Sequence, residues 1–225
     1  MKDNKSEPKD RILDAATALF AQRGYSAVGV REIANAAGVN ISMISYYYNG
    51  KIGILKEIIR LYFEENNAII SQVLDAKLEP IASLKRIIFE QVNMIKNKTN
   101  LCKVALMELP LDSPELAEYK NQLYVANHQL IQESFHKNRP IAEDPFYKCV
   151  IGPAMQSLIF SHFLVGNIVH AECKVEFNDD FYERYADTIS LLFLRGVQGI
   201  GEEVRKRLSD TKPHSHHGTE IHHPH

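Results

Sequence analysis

Residues 11–55 read RILDAATALFAQRGYSAVGVREIANAAGVNISMISYYYNGKIGIL, and this stretch decides the reading of the chain. From Asp10 to Arg23, the apolar residues Ile12, Leu13, Ala16, Leu19 and Phe20 recur on one helical face, and Gly24 stands where a left-handed C-cap belongs. A second short helix is predicted from about Val30 to Ala37, with Ile33 and Ala34 on its apolar side and Gly38 closing it. Asn40 suits an N-cap, and Ile41 to Tyr48 can form a third short helix. A fourth begins near Lys51 and continues through Ile54, Leu55, Ile58, Ile59, Leu61 and Tyr62 to about Asp75.

Two helices joined by a tight glycine-containing turn, the second short and polar at its start, are the parts of a helix-turn-helix that reads DNA. Ala34 and Ala37 are small where the helices must approach, Gly38 permits the turn, and Val39 and Ile44 can fill the core beneath. The major groove is about 12 Å wide, so only a slim helix enters it. Its outer side is expected to present Asn40, Ile41, Ser42, Met43, Tyr46 and Tyr47. Tyrosine hydroxyls reach phosphates, Asn and Ser bond base edges or phosphates, and Met43 suits a thymine methyl. Arg31 reads equally as a phosphate contact or a solvated helix residue.

The same 45 residues resemble the amino-terminal domain of TetR/AcrR-type regulators. The resemblance is carried by the helix-one pattern ending in Gly24-Tyr25, by Ile33-Ala34, by Ala37-Gly38-Val39, by Tyr47-Tyr48, and by Lys51 three residues later. It implies that Tyr47 and Lys51 contact phosphates and that Tyr48 occupies a buried aromatic position. The chain departs from the pattern at Gly29, where a capping threonine is usual, and at Ser42 and Ser45, which replace a usual glycine and tyrosine. Gly29 can still cap but offers no hydroxyl to a phosphate. The two serines are expected to alter which operator is preferred.

Beyond Pro80, helical patterns fall at about 81–97, 101–109, 114–137, 145–170 and 178–208, with breaks at 97–100, 110–114, 138–140 and 173–178. The fold class is therefore all-α: a three-helix DNA-binding domain over residues 1–62, then a larger helical body over 63–210. The resemblance implies that the body binds a small inducer and dimerises through its last two long helices. Leu158, Phe160, Phe163, Leu164, Phe181, Tyr185, Ile189, Leu192 and Phe193 supply apolar surface for core and interface. An apolar pocket would draw on Met94, Met107, Tyr124, His128, Met155 or Phe160, each of which has a plain core role as its alternative. The expected partners are operator DNA, a second copy of the chain and a small-molecule inducer.

Composition fits this division. The net charge of −2 conceals +3 over residues 1–62 and −5 over the remainder, compatible with a small DNA-touching unit on a larger body. Cys102, Cys149 and Cys173 stand far apart with no CxxC spacing, and they read as buried small hydrophobes in a reducing cytoplasm. The charged start MKDNKSEPKD has no apolar signal core, so a cytoplasmic location is expected. The apolar stretch from Cys149 to Gly166 is interrupted by Gly152, Pro153, Gln156, Ser157, Ser161 and His162, and it reads as a buried or interface helix. No cofactor is expected. Residues 211–225 form a polar, histidine-rich tail, expected to be disordered, whose closely spaced imidazoles raise the alternative of a metal-responsive regulator. A ligand-independent adaptor or activator is a second alternative. Catalysis by His128, His162 or His170 with Cys102 or Cys149 has no supporting motif.

Overall fold

The computed structural model describes residues 7–107, 113–134 and 145–210, and every element among them is a helix. The order is α1 (Pro8–Arg23), α2 (Val30–Ala37), α3 (Ser42–Tyr48), α4 (Lys51–Asp75), α5 (Pro80–Asn97), α6 (Thr99–Met107), α7 (Pro114–Ser134), α8 (Pro145–Cys173) and α9 (Asp179–Asp210). The all-α reading holds, with helix ends shifted by a few residues. One difference is the narrow α5–α6 break. Lys98 alone separates the two helices, in a non-helical conformation (φ −129°, ψ 43°) that suffices to turn the chain.

Each predicted apolar stripe became a packed face. Ile12, Ala16 and Phe20 of α1, Ile33, Ala34 and Ala37 of α2, and Ile44 of α3 form one buried cluster with Ile54, Leu55, Ile58 and Ile59 of α4. Burying such a side chain fully contributes roughly 1.5–3 kcal/mol, so these few contacts suffice to fix three short helices that would not persist alone. Gly38 ends α2 at φ 62°, ψ 42°, and Val39 N–H bonds back to Ala34 O at 3.0 Å, closing the turn.

The body is built around α4 and α5. α1 packs on α2 and α6; α4 on α5, α6 and α7; α5 on α8 and α9. α4 runs unbroken past residue 62, so the helix supporting α3 also forms the floor of the body. Lys103 of α6 ties back to α1, donating to Ala21 O at 2.6 Å. The α8–α9 corner closes over His162, whose ring lies 4.5 Å from Phe177, 4.8 Å from Phe181 and 5.2 Å from Tyr185, centroid to centroid. Burial there pushes the imidazole pKa down. Tyr185 OH donates to Leu158 O at 2.7 Å and pins the same corner.

One expectation for the body needs correction, the burial of Cys149. Cys102 is buried and its thiol is pushed up to about 12, by desolvation first and then by Glu65. Cys149 is instead exposed. Cys149–Gly166 is long and apolar enough to cross a membrane by length and composition, yet only 22% of it is buried within the chain. Met155, Ile159 and Phe160 face inward, whereas Val150, Leu164 and Val165 face outward, so one side of the stretch joins the core and the other is surface. The side chain of Cys173 and the whole of the histidine-rich tail lie outside the described residues.

Candidate nucleic-acid interface

α3 is seven residues long and divides cleanly into an inner and an outer side. Ile44 and Tyr48, one turn apart, point inward at 1% and 7% exposure. Tyr48 OH donates to Lys9 O at 2.8 Å, fastening α3 to the first turn of α1. Its phenol is pushed up to about 12, chiefly by burial and then by Glu57, Asp10 and Asp14. The core position implied for Tyr48 is the one it occupies.

With those anchors inside, helical spacing turns Ile41, Ser42, Ser45 and Tyr46 outward. Tyr46 is 82% exposed and meets the half-buried Tyr47 edge to face, ring centroids 4.9 Å apart. Met43, expected on the outer side, is half-buried and packs on the helix-turn-helix core, as Tyr47 also does. The physical reason is register, since Met43 and Tyr47 each adjoin an inward-pointing anchor. Ser45, read only as a departure from a family pattern, shares the outward ridge with Ser42 and Tyr46. Helical spacing from Ile44 would have found it.

Asn40 caps α3. Its Oδ1 accepts from Ser42 N at 2.9 Å and from Ser42 Oγ at 2.8 Å. The carbonyl side of the amide is thereby occupied, and the Nδ2 donors remain for another partner. Ser42 has likewise committed its proton and keeps its lone pairs.

Flanking α3, Lys51 opens α4 and Arg31 is exposed on α2. Lys51 Nζ donates to Val28 O at 2.7 Å and lies 4.1 Å from the centroid of the Tyr25 ring. Partial burial lowers its pKa. Gly29 precedes α2 with an extended backbone and no side-chain cap, and space is open where its Cβ would stand. The α3–α4 corner depends on a glycine that the motif reading did not single out. A Cβ on Gly53 would fall 1.6 Å from Tyr48 O and 2.8 Å from Tyr48 C, so only glycine admits this approach. A glycine inside a helical run costs about 1 kcal/mol against alanine, which is the signal that could have marked it.

The pocket residues divide. Met94, Met155 and Phe160 are buried in the common core, 6–7% exposed. Met107 and Tyr124 are 47% and 41% exposed, which corrects their assignment as interior lining. The inward face of α6 is taken by Cys102, Val104 and Ala105, and Met107 ends that helix outside it. The side chain of His128 lies outside the described residues. A separate open cleft of about 510 Å³ lies between α1, α4 and the α5–α6 corner, bordered by Leu13, Asp14, Leu61, Glu65 and Leu101. None of the five pocket candidates with described side chains borders it. Among residues whose side chains are described, no group of three or more His, Cys, Asp or Glu is placed to hold a metal.

Comparison with known proteins agrees with this geometry. Residues 12–58 match the family model described as bacterial regulatory proteins, tetR family. The probable HTH-type transcriptional regulator YttP of Bacillus subtilis is 26% identical over 208 residues, covering 88% of this chain and 97% of YttP. The HTH-type transcriptional repressor KstR2 of Rhodococcus jostii is 30% identical over 84 residues, 37% of this chain and 41% of KstR2. In fold, the chain resembles a TetR-family transcriptional regulator from Bordetella parapertussis, with TM-score 0.66 at 18% identity over 83% of this chain and 93% of that one. The fatty acid degradation regulator FadR from Bacillus halodurans gives TM-score 0.61 at 21% identity over 85% and 97%. An outward polar and aromatic ridge on a short helix, held by a three-helix core, identifies residues 12–58 as a DNA-binding domain of the tetR family and the chain as a DNA-binding transcriptional regulator.

Proposed function

We propose that the protein is a homodimeric repressor that holds a two-fold symmetric operator through α3 and releases it when a small molecule occupies the body. The observation that carries this reading is the outward ridge of Ile41, Ser42, Ser45 and Tyr46 on a helix anchored from behind by Ile44 and Tyr48. Asn40, Ile41, Ser42 and Tyr46 face base edges, Met43 lies at the margin of the ridge, and Tyr47, Arg31 and Lys51 serve the phosphates. The residues split at about position 62 into a reading unit and a body.

Repression as the sign of control is supported by relatives: KstR2 of Mycolicibacterium smegmatis and of Rhodococcus jostii are named repressors, and IcaR of Staphylococcus aureus a negative regulator. Pairing of two copies is supported by the surface of the last two helices. Leu164, Val165 and Ile168 of α8 and Leu191 and Leu192 of α9 are 46–74% exposed, an apolar face that a second copy would bury. Two recognition helices about 34 Å apart then read successive turns of one DNA face. A ligand that favours another separation lowers operator affinity. We assign no catalytic role, and the site of action is the cytoplasm, where the DNA is.

Selection of bound fragments from a random DNA pool, with sedimentation of the complex, tests the reading. A palindromic site carrying two chains, with affinity falling steeply as salt rises, is expected. A single chain on an asymmetric site would overturn the dimer, and stimulation of transcription from that site would overturn the sign.

A further inference from the structure

Among the residues whose side chains are described, the buried polar ones are Asn66, Ser83, Gln91 and Ser190, and none carries a charge. The two serines are satisfied nearby, Ser83 Oγ on Leu78 O at 3.3 Å and Ser190 Oγ on Ala186 O at 2.7 Å. Of the two amides, one atom is left over. Gln91, 1% exposed on α5, donates from Nε2 to Asn66 Oδ1 of α4 at 2.6 Å, while its own Oε1 meets no hydrogen-bond donor. One turn before Asn66, the Tyr62 hydroxyl accepts from Gln156 Nε2 of α8 at 3.0 Å. Polar groups from α4, α5 and α8 thus stand within a core that also contains Met94, Met155, Ile159 and Phe160.

Folded proteins rarely leave a buried amide oxygen without a donor, because nothing in the interior replaces the water it gave up. We propose that the effector is an uncharged, mainly apolar molecule that donates a hydrogen bond, from a hydroxyl or amide, to Gln91 Oε1. The inference rests on the effector reading above and narrows it to a ligand class. A carboxylate or ammonium buried beside Gln91 would lose its hydration and meet no buried opposite charge among the described side chains. The aliphatic and aromatic neighbours set the apolar remainder of the ligand.

The test uses the full chain on its selected operator, with straight-chain primary alcohols from butanol to dodecanol, their methyl ethers and the matching carboxylates as probes. The most effective alcohol should release DNA at a concentration about tenfold below its methyl ether, the difference one buried hydrogen bond makes, and further below its carboxylate. Gln91→Met, close in volume, should abolish the preference of alcohol over ether while leaving operator affinity without probe within about twofold. Melting of this variant, and of Asn66→Leu/Gln91→Met in which both amides are removed, verifies that the fold persists. Release by ethers or carboxylates at the same or lower concentration, or an alcohol preference that survives in folded Gln91 variants, would overturn the inference and leave effector control standing. A symmetric operator that no alcohol releases would also overturn it, without touching the dimer or its DNA.

Discussion

The Lys51 ammonium lies 4.1 Å from the centroid of the Tyr25 ring and donates to Val28 O at 2.7 Å, so the cation at the start of α4 clamps the segment between α1 and α2. A phosphate contact and a structural clamp are compatible, because an ammonium has three protons and the Val28 bond uses one. Lys51→Met should therefore lower operator affinity for all sequences alike and also reduce unfolding free energy by about 1–2 kcal/mol, the joint loss of a charged hydrogen bond and a cation–π contact. Unchanged chemical denaturation would leave Lys51 a phosphate ligand alone.

Gly53→Ala should be far more damaging than its size suggests. The added methyl carbon would meet the Tyr48 carbonyl at 1.6 Å, and backbone on both sides of the corner must move to relieve it. Melting should fall by several degrees, and operator binding should fall more than stability does, because α3 tilts away from its anchor. Wild-type DNA affinity in a folded Gly53→Ala protein is the outcome against it.

Gly29→Thr is expected to improve the protein. The backbone at φ −96° accepts a β-branched residue, and the space at its Cβ is open. A threonine hydroxyl can cap α2, and the loss of glycine freedom in the unfolded chain adds to the gain, together about 0.5–1 kcal/mol. The same hydroxyl would face a phosphate, so affinity should rise across sequences without a change in preferred bases. Paired melting and DNA titration read both effects.

Asn40 can donate to a base but cannot also accept from one while Oδ1 caps α3. It is thereby unsuited to the bidentate bond with adenine, which requires both, and fits purine N7 or the oxygen of guanine or thymine. Asn40→Asp keeps the cap, loses the donors and adds a negative charge facing DNA. Its melting temperature should match wild type while operator affinity drops by about tenfold or more. Selection of a strict adenine at the base that Asn40 touches would contradict this account.

Alkaline pH should weaken the fold in two stages. Cys102 is raised from 9.0 to about 12, and Tyr48 from 10.0 to about 12. Both folded values lie above the unfolded ones, so their contribution is fully present below pH 9 and 10, respectively, and is lost as pH rises toward 12. Urea midpoints should be flat to about pH 9 and then decline. Cys102→Ala should delay the onset, and Tyr48→Phe should make the later decline shallower, at the expense of the Lys9 bond, with the buried Tyr62 hydroxyl, also raised, supplying part of what remains.

Much of this was legible before any coordinates. The stripes Ile12–Ala16–Phe20 and Ile54–Ile58–Tyr62 repeat at helical spacing, and each residue in them is buried. Gly24, Gly38 and Pro80 marked helix ends by their own backbone constraints. The body was less legible, because a methionine on an amphipathic helix reads alike whether it faces core or solvent. Met94 went inward and Met107 outward, and only the packing of α5 and α6 against α4 separates them.

Local chemistry along the chain determined the all-helical class, the turn at Gly38, the cap at Asn40 and the short polar helix that follows. These depend on neighbours within four or five positions, which a sequence displays directly. Tertiary structure decided which side of α3 is offered to DNA, the attachment of Lys51 to Tyr25 and Val28, the need for Gly53 beneath Tyr48, and the pairing of Gln91 with Asn66. Each of those joins residues from different helices or across a corner, and its energy depends on distances and burial that exist only once the helices have packed.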